Sequence, residues 1–277
     1  MTDPVPSLPS RVWAFATGDP SRRVLTCAAA AAQVLLPTVY GPRFNGENAP
    51  PNVIQPAPYT FTVWFPIFAS SIAYAVHQAL GPARNLDISR AVGWPLAGAF
   101  AATGIWAPLV RSGKFWSAQG ALVTIAVLAE LGRRRIAHAE LKGDLTTAEV
   151  AAAAPAAGML AAWGQAACGV NLAAMLVSNN IVPAGPKAAT AGAALLAGLG
   201  VLGTRAAAMP ERTSVSSRFY IGTLLWAFAG VIIGQRGRSR SAVAVAAGAA
   251  ATILTVTVCG PTGKRSGRKL EPFSSPT

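Results

Sequence analysis

Histidines are too few and too far apart in this chain to support metal or acid–base chemistry. The sequence contains only two, His77 and His138. We expect His138 to be a solvated residue of a basic segment, and His77 to form an interfacial polar pair with Gln78. No glycine-rich phosphate loop follows a strand pattern, and no His/Glu pair has metal-ligand spacing. Because an intramembrane enzyme would need a nucleophile–base pair or a metal cluster, we predict that the chain is not an enzyme.

Side-chain amides inside an apolar stretch are stronger candidates for a site. Asn171 lies about two-thirds of the way along the apolar run Ala151–Val177. Gln165 precedes it by six residues and therefore points to a different side of a helix. Polar groups inside a membrane are costly and usually have partners. Two roles remain open: the amides hydrogen-bond neighbouring helices and lock the bundle, or they orient a polar group of a ligand.

Tryptophans are the second resource, and all but one of the seven fall in apolar runs. Trp94 and Trp116 lie near the ends of their runs, where the aromatic belts of membrane interfaces account for them. Trp64, Trp106 and Trp163 lie deeper. Buried indole N–H groups need acceptors, and converging aromatic faces form a pocket for a flat, apolar ligand. Packing alone is the alternative interpretation.

The elements that must position these residues are apolar helices. The chain has 277 residues, of which 52% are hydrophobic and 12% charged, whereas soluble domains carry roughly 25% charged residues. A bilayer core of about 30 Å requires roughly 20 apolar helical residues. We therefore predict an all-α membrane protein, a bundle of about eight transmembrane helices with seven as the alternative. The runs are Val24–Tyr40, Tyr59–Leu80, Ala91–Val110, Phe115–Leu131, Ala151–Val177, Ala188–Ala207, Phe219–Gly234 and Ala242–Gly260.

The distribution of basic residues predicts the orientation in the membrane. With eight spans and a cytoplasmic N-terminus, 16 of the 23 Lys and Arg residues lie on the cytoplasmic side. The positive-inside rule favours this arrangement, with both termini cytoplasmic and the protein in the cell membrane. The net charge of +13 does not indicate a nucleic-acid partner, because the basic residues are spread over several short segments. The other seven are Arg43, Arg111, Lys114, Lys187, Arg236, Arg238 and Arg240.

The segments between the runs are too short to form a separate domain. We predict that residues 1–23 form a cytoplasmic tail and that residues 261–277 form a basic, disordered tail. Gly41–Pro58 is rich in Pro, Asn and Gly and predicts an ordered cap built from turns. Gly132–Val150 predicts a basic cytoplasmic loop with a short surface helix. Glu130 precedes the arginines of this loop, so we expect an interfacial ion pair.

Two apolar runs carry motifs of a known family. Pro58–Phe68 resembles the aromatic segment that opens the second helix in the TspO/MBR family, the tryptophan-rich sensory or translocator proteins. In that segment a proline is followed by an aromatic residue, then Trp, then Tyr four residues on. Phe68 stands where the family favours Tyr. In the fifth run, Pro155, Trp163 and Asn171 resemble the Pro…Trp…Leu-Asn helix of the family.

The resemblance divides the chain into two parts. Residues 24–180 correspond to the five-helix fold of the family, and residues 181–260 would add three transmembrane helices. Longer tryptophan-rich relatives carry such an extension, and Trp226–Gly230 resembles their Trp-Ala-Leu-x-Gly helix. The departures include Thr103, which stands where many relatives have Asn.

The resemblance implies a membrane sensor or receptor that binds a flat hydrophobic ligand, a porphyrin (tetrapyrrole) or a sterol-like molecule, between helices one to five. It implies no cofactor; porphyrin or haem would be a ligand. The expected partners are that ligand and the lipid bilayer, with a homodimer left open. The alternative is a small-solute transporter or exporter, which would show a polar path and a structural repeat. The ligand-binding residues would be Trp64, Phe68, Trp106, Trp163 and Asn171.

Overall fold

The chain folds as a bundle of α-helices. The computed structural model describes residues 19–40, 52–80 and 86–260, with side chains from residue 89 onward in the last range. These residues form eight α-helices, two 3-10 helices and no strand, which confirms the predicted all-α fold. The α-helices are α1 (Asp19–Tyr40), α2 (Trp64–Leu80), α3 (Leu86–Arg111), α4 (Phe115–Lys142), α5 (Thr147–Ser178), α6 (Pro186–Ala208), α7 (Val215–Gly234) and α8 (Arg240–Cys259); the 3-10 helices are Pro58–Val63 and Pro210–Thr213.

Each of the eight predicted runs corresponds to one α-helix, although Tyr59–Leu80 begins in the 3-10 helix before α2 and some helices begin or end elsewhere than predicted. α1 starts at Asp19 and so takes in the last residues of the predicted tail 1–23. α7 starts at Val215 rather than Phe219, because the Ser214 hydroxyl accepts a hydrogen bond from the Ser217 N–H and caps the first turn. The tail 261–277 and most of the predicted cap between α1 and α2 lie outside the described residues.

Whether the chain has seven or eight membrane spans depends on α3. Within the described ranges, seven helical segments are long and apolar enough to cross a membrane. α3 is not among them, since its prolines and tryptophans lower its hydropathy. α3 nevertheless lies parallel to α1. Arg90 binds Asp19 near the start of both helices, and Gly104 approaches Ala32 more than three turns further along. The two helices therefore run side by side for about 20 Å.

Helix α5 is the centre of the bundle. It packs against α2, α4, α6 and α7, whereas α1 and α8 bury only a small share of their residues. Ala and Gly make up half of its 32 residues, and small residues allow neighbouring helix backbones to approach closely. Its first turn is closed by a capping box, in which Thr146 and Glu149 bond each other's backbone N–H groups. The helix that holds Trp163 and Asn171 is therefore fixed on several sides.

The prediction that α4 ends at Leu131 and is followed by a basic loop was wrong. α4 continues to Lys142 and ends at Gly143, whose φ of 76° closes the helix. The continuation is helical because it has a buried stripe that includes Ile136 and Ala137, both 0% exposed. His138 is exposed as predicted, but it lies on this helix.

An arginine in the predicted loop is in fact buried between α4 and α7. Arg133 is 3% exposed, and its guanidinium donates to both Glu130 oxygens at 2.7 Å and to the Ser217 hydroxyl at 2.8 Å. The same group lies 4.8 Å from the centre of the Tyr220 ring. Arg134 also binds Glu130, at 2.6 Å. The ion pair expected for Glu130 is confirmed; it lies within α4, and Arg133 extends it to α7 through Ser217 and Tyr220.

Candidate functional site

One cavity brings together most of the residues that the sequence singled out. It encloses about 150 Å³ beside α5 and is closed at one end by Asn52, Gln55 and Pro56. We call it the tryptophan cavity. Its other lining residues are Phe61, Trp64, Trp106, Val110, Phe115, Leu122, Trp163, Ala166, Ala167, Val170, Asn171, Ala174, Met175, Ser178, Leu196, Leu199, Leu224, Ala227, Phe228 and Val231.

Aromatic rings form one wall of the tryptophan cavity. Trp163 is 3% exposed and meets Phe61 and Trp64 edge to face, with ring centres 5.7 and 6.1 Å apart. Phe68 does not line the cavity; it stacks on Trp64 at 5.3 Å. Four of the five predicted ligand-binding residues therefore share one cavity, and Phe68 supports one of them from behind. Edge-to-face and offset ring contacts hold each ring at a defined angle.

Two hydrogen-bond donors among the lining residues have no partner. The indole N–H groups of Trp106 and Trp163 are both buried and bond no atom in the part of the chain that the structure describes. A buried donor without an acceptor costs about 1–3 kcal/mol relative to a satisfied one. An acceptor atom on a bound molecule would remove that cost. Trp226 provides the contrast, since its indole N–H donates to the Thr60 carbonyl at 2.9 Å.

Asn171 serves mainly to join helices. Its amide nitrogen donates to Gln119 of α4 at 2.7 Å and to the Met175 sulfur at 3.2 Å, which leaves only its amide oxygen to offer a ligand. Gln119 in turn donates to the Cys168 carbonyl at 3.3 Å. The sequence analysis did not single out Gln119. The feature that could have identified Gln119 is its side-chain amide in the first turns of an apolar run, on the helix before the one that carries Asn171.

Gln165 does not face the tryptophan cavity. It accepts a hydrogen bond of 2.6 Å from the Tyr220 hydroxyl and so joins α5 to α7. Two roles were left open for the amides, joining helices or contacting a ligand. The contacts of Gln165 correspond to the first role, since it joins helices. Gln78 also departs from expectation, because it is 3% exposed and its amide bonds none of the described residues, His77 included.

Helices beyond the five-helix segment complete the cavity. α6 and α7 contribute lining residues, among them Leu196 and Phe228, whereas none of the lining residues comes from α1. The helices that line this cavity therefore differ from the expected set, helices one to five. The physical reason lies in how the helices pack. α1 packs against α3 and so does not reach the cavity, whereas α7 packs against α5 and forms that side of it.

The segment at the closed end is anchored by α7. The Ala57 N–H donates to the Gly230 carbonyl at 2.9 Å, and the Gln235 side chain donates to the Gln55 carbonyl at 2.8 Å. A side chain at Gly234 would lie 2.6 Å from both the Ala57 nitrogen and the Gln55 oxygen, so only glycine permits this approach. The sequence analysis related Trp226–Gly230 only to a helix of the family; Gly230 of that motif supplies the carbonyl that Ala57 binds.

Charge is missing from the lining of the tryptophan cavity. Its polar residues are amides, indoles and one serine, and no Lys, Arg, Asp or Glu is among the described residues that line it. No group of three His, Cys, Asp or Glu side chains suited to a metal ion occurs in the described ranges. The cavity can therefore surround an apolar body and offer hydrogen bonds to it, without neutralising a charge.

Comparison with known proteins agrees with this architecture. Residues 27–260 match the family described as TSPO-like protein, a range that extends past residue 180 through the last three helices. No curated protein and no solved structure matches at a significant level. With seven helical segments apolar enough to cross a membrane, the match identifies an integral, multi-pass membrane protein. Because the match covers well over half of its length, the chain belongs to the TSPO-like protein family.

Proposed function

We propose that the chain is a membrane sensor or receptor that binds a flat, neutral, hydrophobic ligand in the tryptophan cavity. The observation that carries this proposal is the pair of buried, unpartnered indole N–H groups of Trp106 and Trp163 in an otherwise apolar wall. Apolar pockets with a few convergent polar groups are the usual form of small-molecule sites. The ligand would place an acceptor, such as a hydroxyl or carbonyl oxygen, within reach of the indoles.

The absence of charge in the described lining favours a sterol-like ligand over a porphyrin. A porphyrin with carboxylate side chains would bring anions into a cavity whose described lining has no cation. Burying an unpaired carboxylate is far more costly than burying a hydroxyl that finds a donor. A sterol has a rigid, flat, neutral body and a single hydroxyl. A porphyrin would bind only with its carboxylates kept outside the cavity.

The volume of the cavity implies that binding opens it. The enclosed space of about 150 Å³ is below the roughly 300–1,000 Å³ of typical ligand pockets. The wall formed by Phe61 and Trp64 meets Trp163 only through ring edges, which are contacts that can rearrange without breaking a hydrogen bond. We therefore expect the rings of Phe61 and Trp64 to turn when a ligand enters, while the hydrogen bond from Trp226 to the Thr60 carbonyl holds the 3-10 turn in place.

Loss of a single indole N–H should weaken ligand binding without changing the fold. Trp163→Phe keeps an aromatic ring against Phe61 and Trp64 but removes the donor. We expect the dissociation constant for a sterol to rise about tenfold, the equivalent of one buried hydrogen bond, and Trp106→Phe to act similarly. The measurement is equilibrium binding of a radiolabelled sterol to the full chain in lipid nanodiscs, with protoporphyrin as competitor.

The matched control for this experiment is Trp116→Phe, because Trp116 is 55% exposed and does not line the cavity. It should leave the dissociation constant unchanged. Equal weakening by Trp116→Phe and Trp163→Phe would show that the indole donors do not contact the ligand. Absence of saturable binding by either sterol or protoporphyrin would exclude the proposed function.

We also propose that the chain crosses the cell membrane eight times, with both termini in the cytoplasm. The parallel packing of α3 on α1 supports an eighth crossing, because a helix alongside a spanning helix for about 20 Å traverses most of the bilayer core. An alkaline phosphatase reporter inserted at Gly113 is then expected to be active outside the cytoplasm, and one fused after Thr277 inactive. Activity of the C-terminal fusion would contradict the orientation.

The competing function is transport of a small solute. An uptake measurement distinguishes it from ligand sensing. A transporter would accumulate solute in proteoliposomes, whereas a receptor would bind its ligand without moving it. The lining of the tryptophan cavity has few polar groups, which suits retention of an apolar molecule better than passage of a polar one.

A further inference from the structure

A second group of buried polar side chains lies where α1 begins and α2 ends, far from the closed end of the tryptophan cavity. Arg22 is 1% exposed, and Tyr74 and Gln78 are each 3% exposed. The Arg22 Nε and Nη1 atoms, the Tyr74 hydroxyl and both amide atoms of Gln78 have no hydrogen-bond partner. We call these three residues the Arg22 cluster. The tryptophan cavity does not include them.

The neighbouring helices bring the three side chains together. α1 runs antiparallel to α2, since Cys27 donates to the Ala75 carbonyl and Arg23 to the Ala79 carbonyl. Arg22 is therefore level with the last turns of α2, where Tyr74 and Gln78 share a buried face one turn apart. The Arg22 guanidinium is also close enough to the Tyr74 hydroxyl to interact with it electrostatically.

The position of the Arg22 side chain is determined by two contacts. Its Nη2 donates to Asp19 at 3.0 Å, and Asp19 also accepts from Arg90 at 2.7 Å, so one carboxylate is divided between two guanidinium groups. Its stem lies against Gly93, where an added Cβ would be 2.8 Å from the Arg22 Cδ. The guanidinium is thus held in one place with two of its three nitrogens free.

The unpartnered groups are suited to an oxyanion. A buried guanidinium with free N–H groups is stable only when acceptors surround it, and charge-assisted hydrogen bonds to phosphate or carboxylate are the strongest available. Arg22, Tyr74 and the Gln78 amide nitrogen are all hydrogen-bond donors without a partner. A carboxylate has only two oxygens to share among them, whereas a phosphate group has three or four. Phosphate therefore matches this set of donors better.

We propose that the Arg22 cluster binds a phosphate group, supplied either by the headgroup of an anionic lipid or by free inorganic phosphate. The cluster lies near the start of α1 and the end of α2. In the eight-span orientation proposed above, these helix ends are on the side with most of the basic residues, where lipid phosphates would lie. The site is independent of the tryptophan cavity, so it would persist even if that cavity bound nothing.

The test uses the full chain and two probes. In detergent, thermal unfolding is followed while sodium phosphate is titrated at constant ionic strength against sodium chloride. In nanodiscs of phosphatidylcholine with or without phosphatidylglycerol, native mass spectrometry then counts the lipids that stay bound. We expect saturable stabilisation by phosphate, retention of one phosphatidylglycerol, or both. Stabilisation without retention identifies free phosphate as the ligand, and retention without stabilisation identifies the lipid.

Three variants decide whether the cluster is the site. Arg22→Gln removes the charge and Tyr74→Phe removes only a hydroxyl, and each is expected to weaken binding about tenfold or more. Arg23→Gln is the control, because it removes the same charge one residue away on a side chain that bonds the Ala79 carbonyl. If Arg22→Gln does not fold, Tyr74→Phe still provides the comparison. Equal effects in Tyr74→Phe and Arg23→Gln, or chloride matching phosphate, would overturn the proposal.

Discussion

Replacing Arg133 by methionine is expected to destabilise the bundle by about 3 kcal/mol, more than any other single charge removal on α4. The guanidinium is buried between α4 and α7, where it binds Glu130 twice and Ser217 once and lies over the Tyr220 ring. Removing one partner of a buried ion pair costs about 3–5 kcal/mol, because the other charge stays behind. The lower value applies here, since Arg134 still neutralises Glu130.

Arg134→Met is the matched control for Arg133→Met. Both arginines bind the same carboxylate from the same helix, but the Arg134 side chain is 62% exposed. Exposed ion pairs contribute only about 0–1 kcal/mol. The free energy of unfolding in mixed micelles, measured against the mole fraction of SDS, compares the two variants directly. Similar losses in both would mean that Arg133 has no special role between the helices.

The second large effect is expected at Gly158, where α5 and α7 touch. An added Cβ would lie 2.3 Å from the Ser216 carbonyl oxygen and 2.9 Å from the Phe219 Cβ. These neighbours are backbone or atoms attached to it, so Gly158→Ala must push the helices apart. Overpacking of this kind costs about 1–3 kcal/mol and sometimes more. Because α7 also closes the tryptophan cavity, we expect sterol affinity to fall together with stability.

Gly120→Ala separates this packing effect from the general effect of an added methyl group. Gly120 lies on α4 with no atom within 4 Å of the added Cβ. Alanine favours helix over glycine by about 1 kcal/mol, so this variant should be neutral or slightly stabilised. The measurements are SDS unfolding and sterol binding on the same preparations. Loss of stability without loss of binding in Gly158→Ala would show that the cavity does not depend on the α5–α7 contact.

Helix identity followed from local composition, whereas helix ends depended on neighbours. The apolar run that starts at Phe115 was recognisable as a helix, but its arginines suggested that it stops at Leu131. In the fold, α7 supplies Ser217 and Tyr220 to Arg133, which makes burial of the arginine tolerable and lets α4 continue. A partner that is 84 residues away in the chain leaves no local signal.

The candidate site shows the same division. Trp64, Trp106, Trp163 and Asn171 were selected because polar or aromatic groups in a membrane require a reason, and all four line one cavity. Phe68 was assigned by motif position, and the fold turns it behind Trp64 instead. Gln119 and the α7 residues were missed, since each acts only through a helix that is distant in sequence.

The sequence by itself determined that this protein is a helical membrane bundle with tryptophans and amides inside it, because the bilayer dictates helix length and apolar composition residue by residue. Only the tertiary structure decided which helices enclose the tryptophan cavity, that α7 replaces α1 in its wall, and that Arg22 is buried with donors to spare. The physical reason is that helices in a membrane associate through close packing and specific hydrogen bonds. Those contacts, such as Gly158 on α7, depend on pairs of surfaces rather than on any one segment.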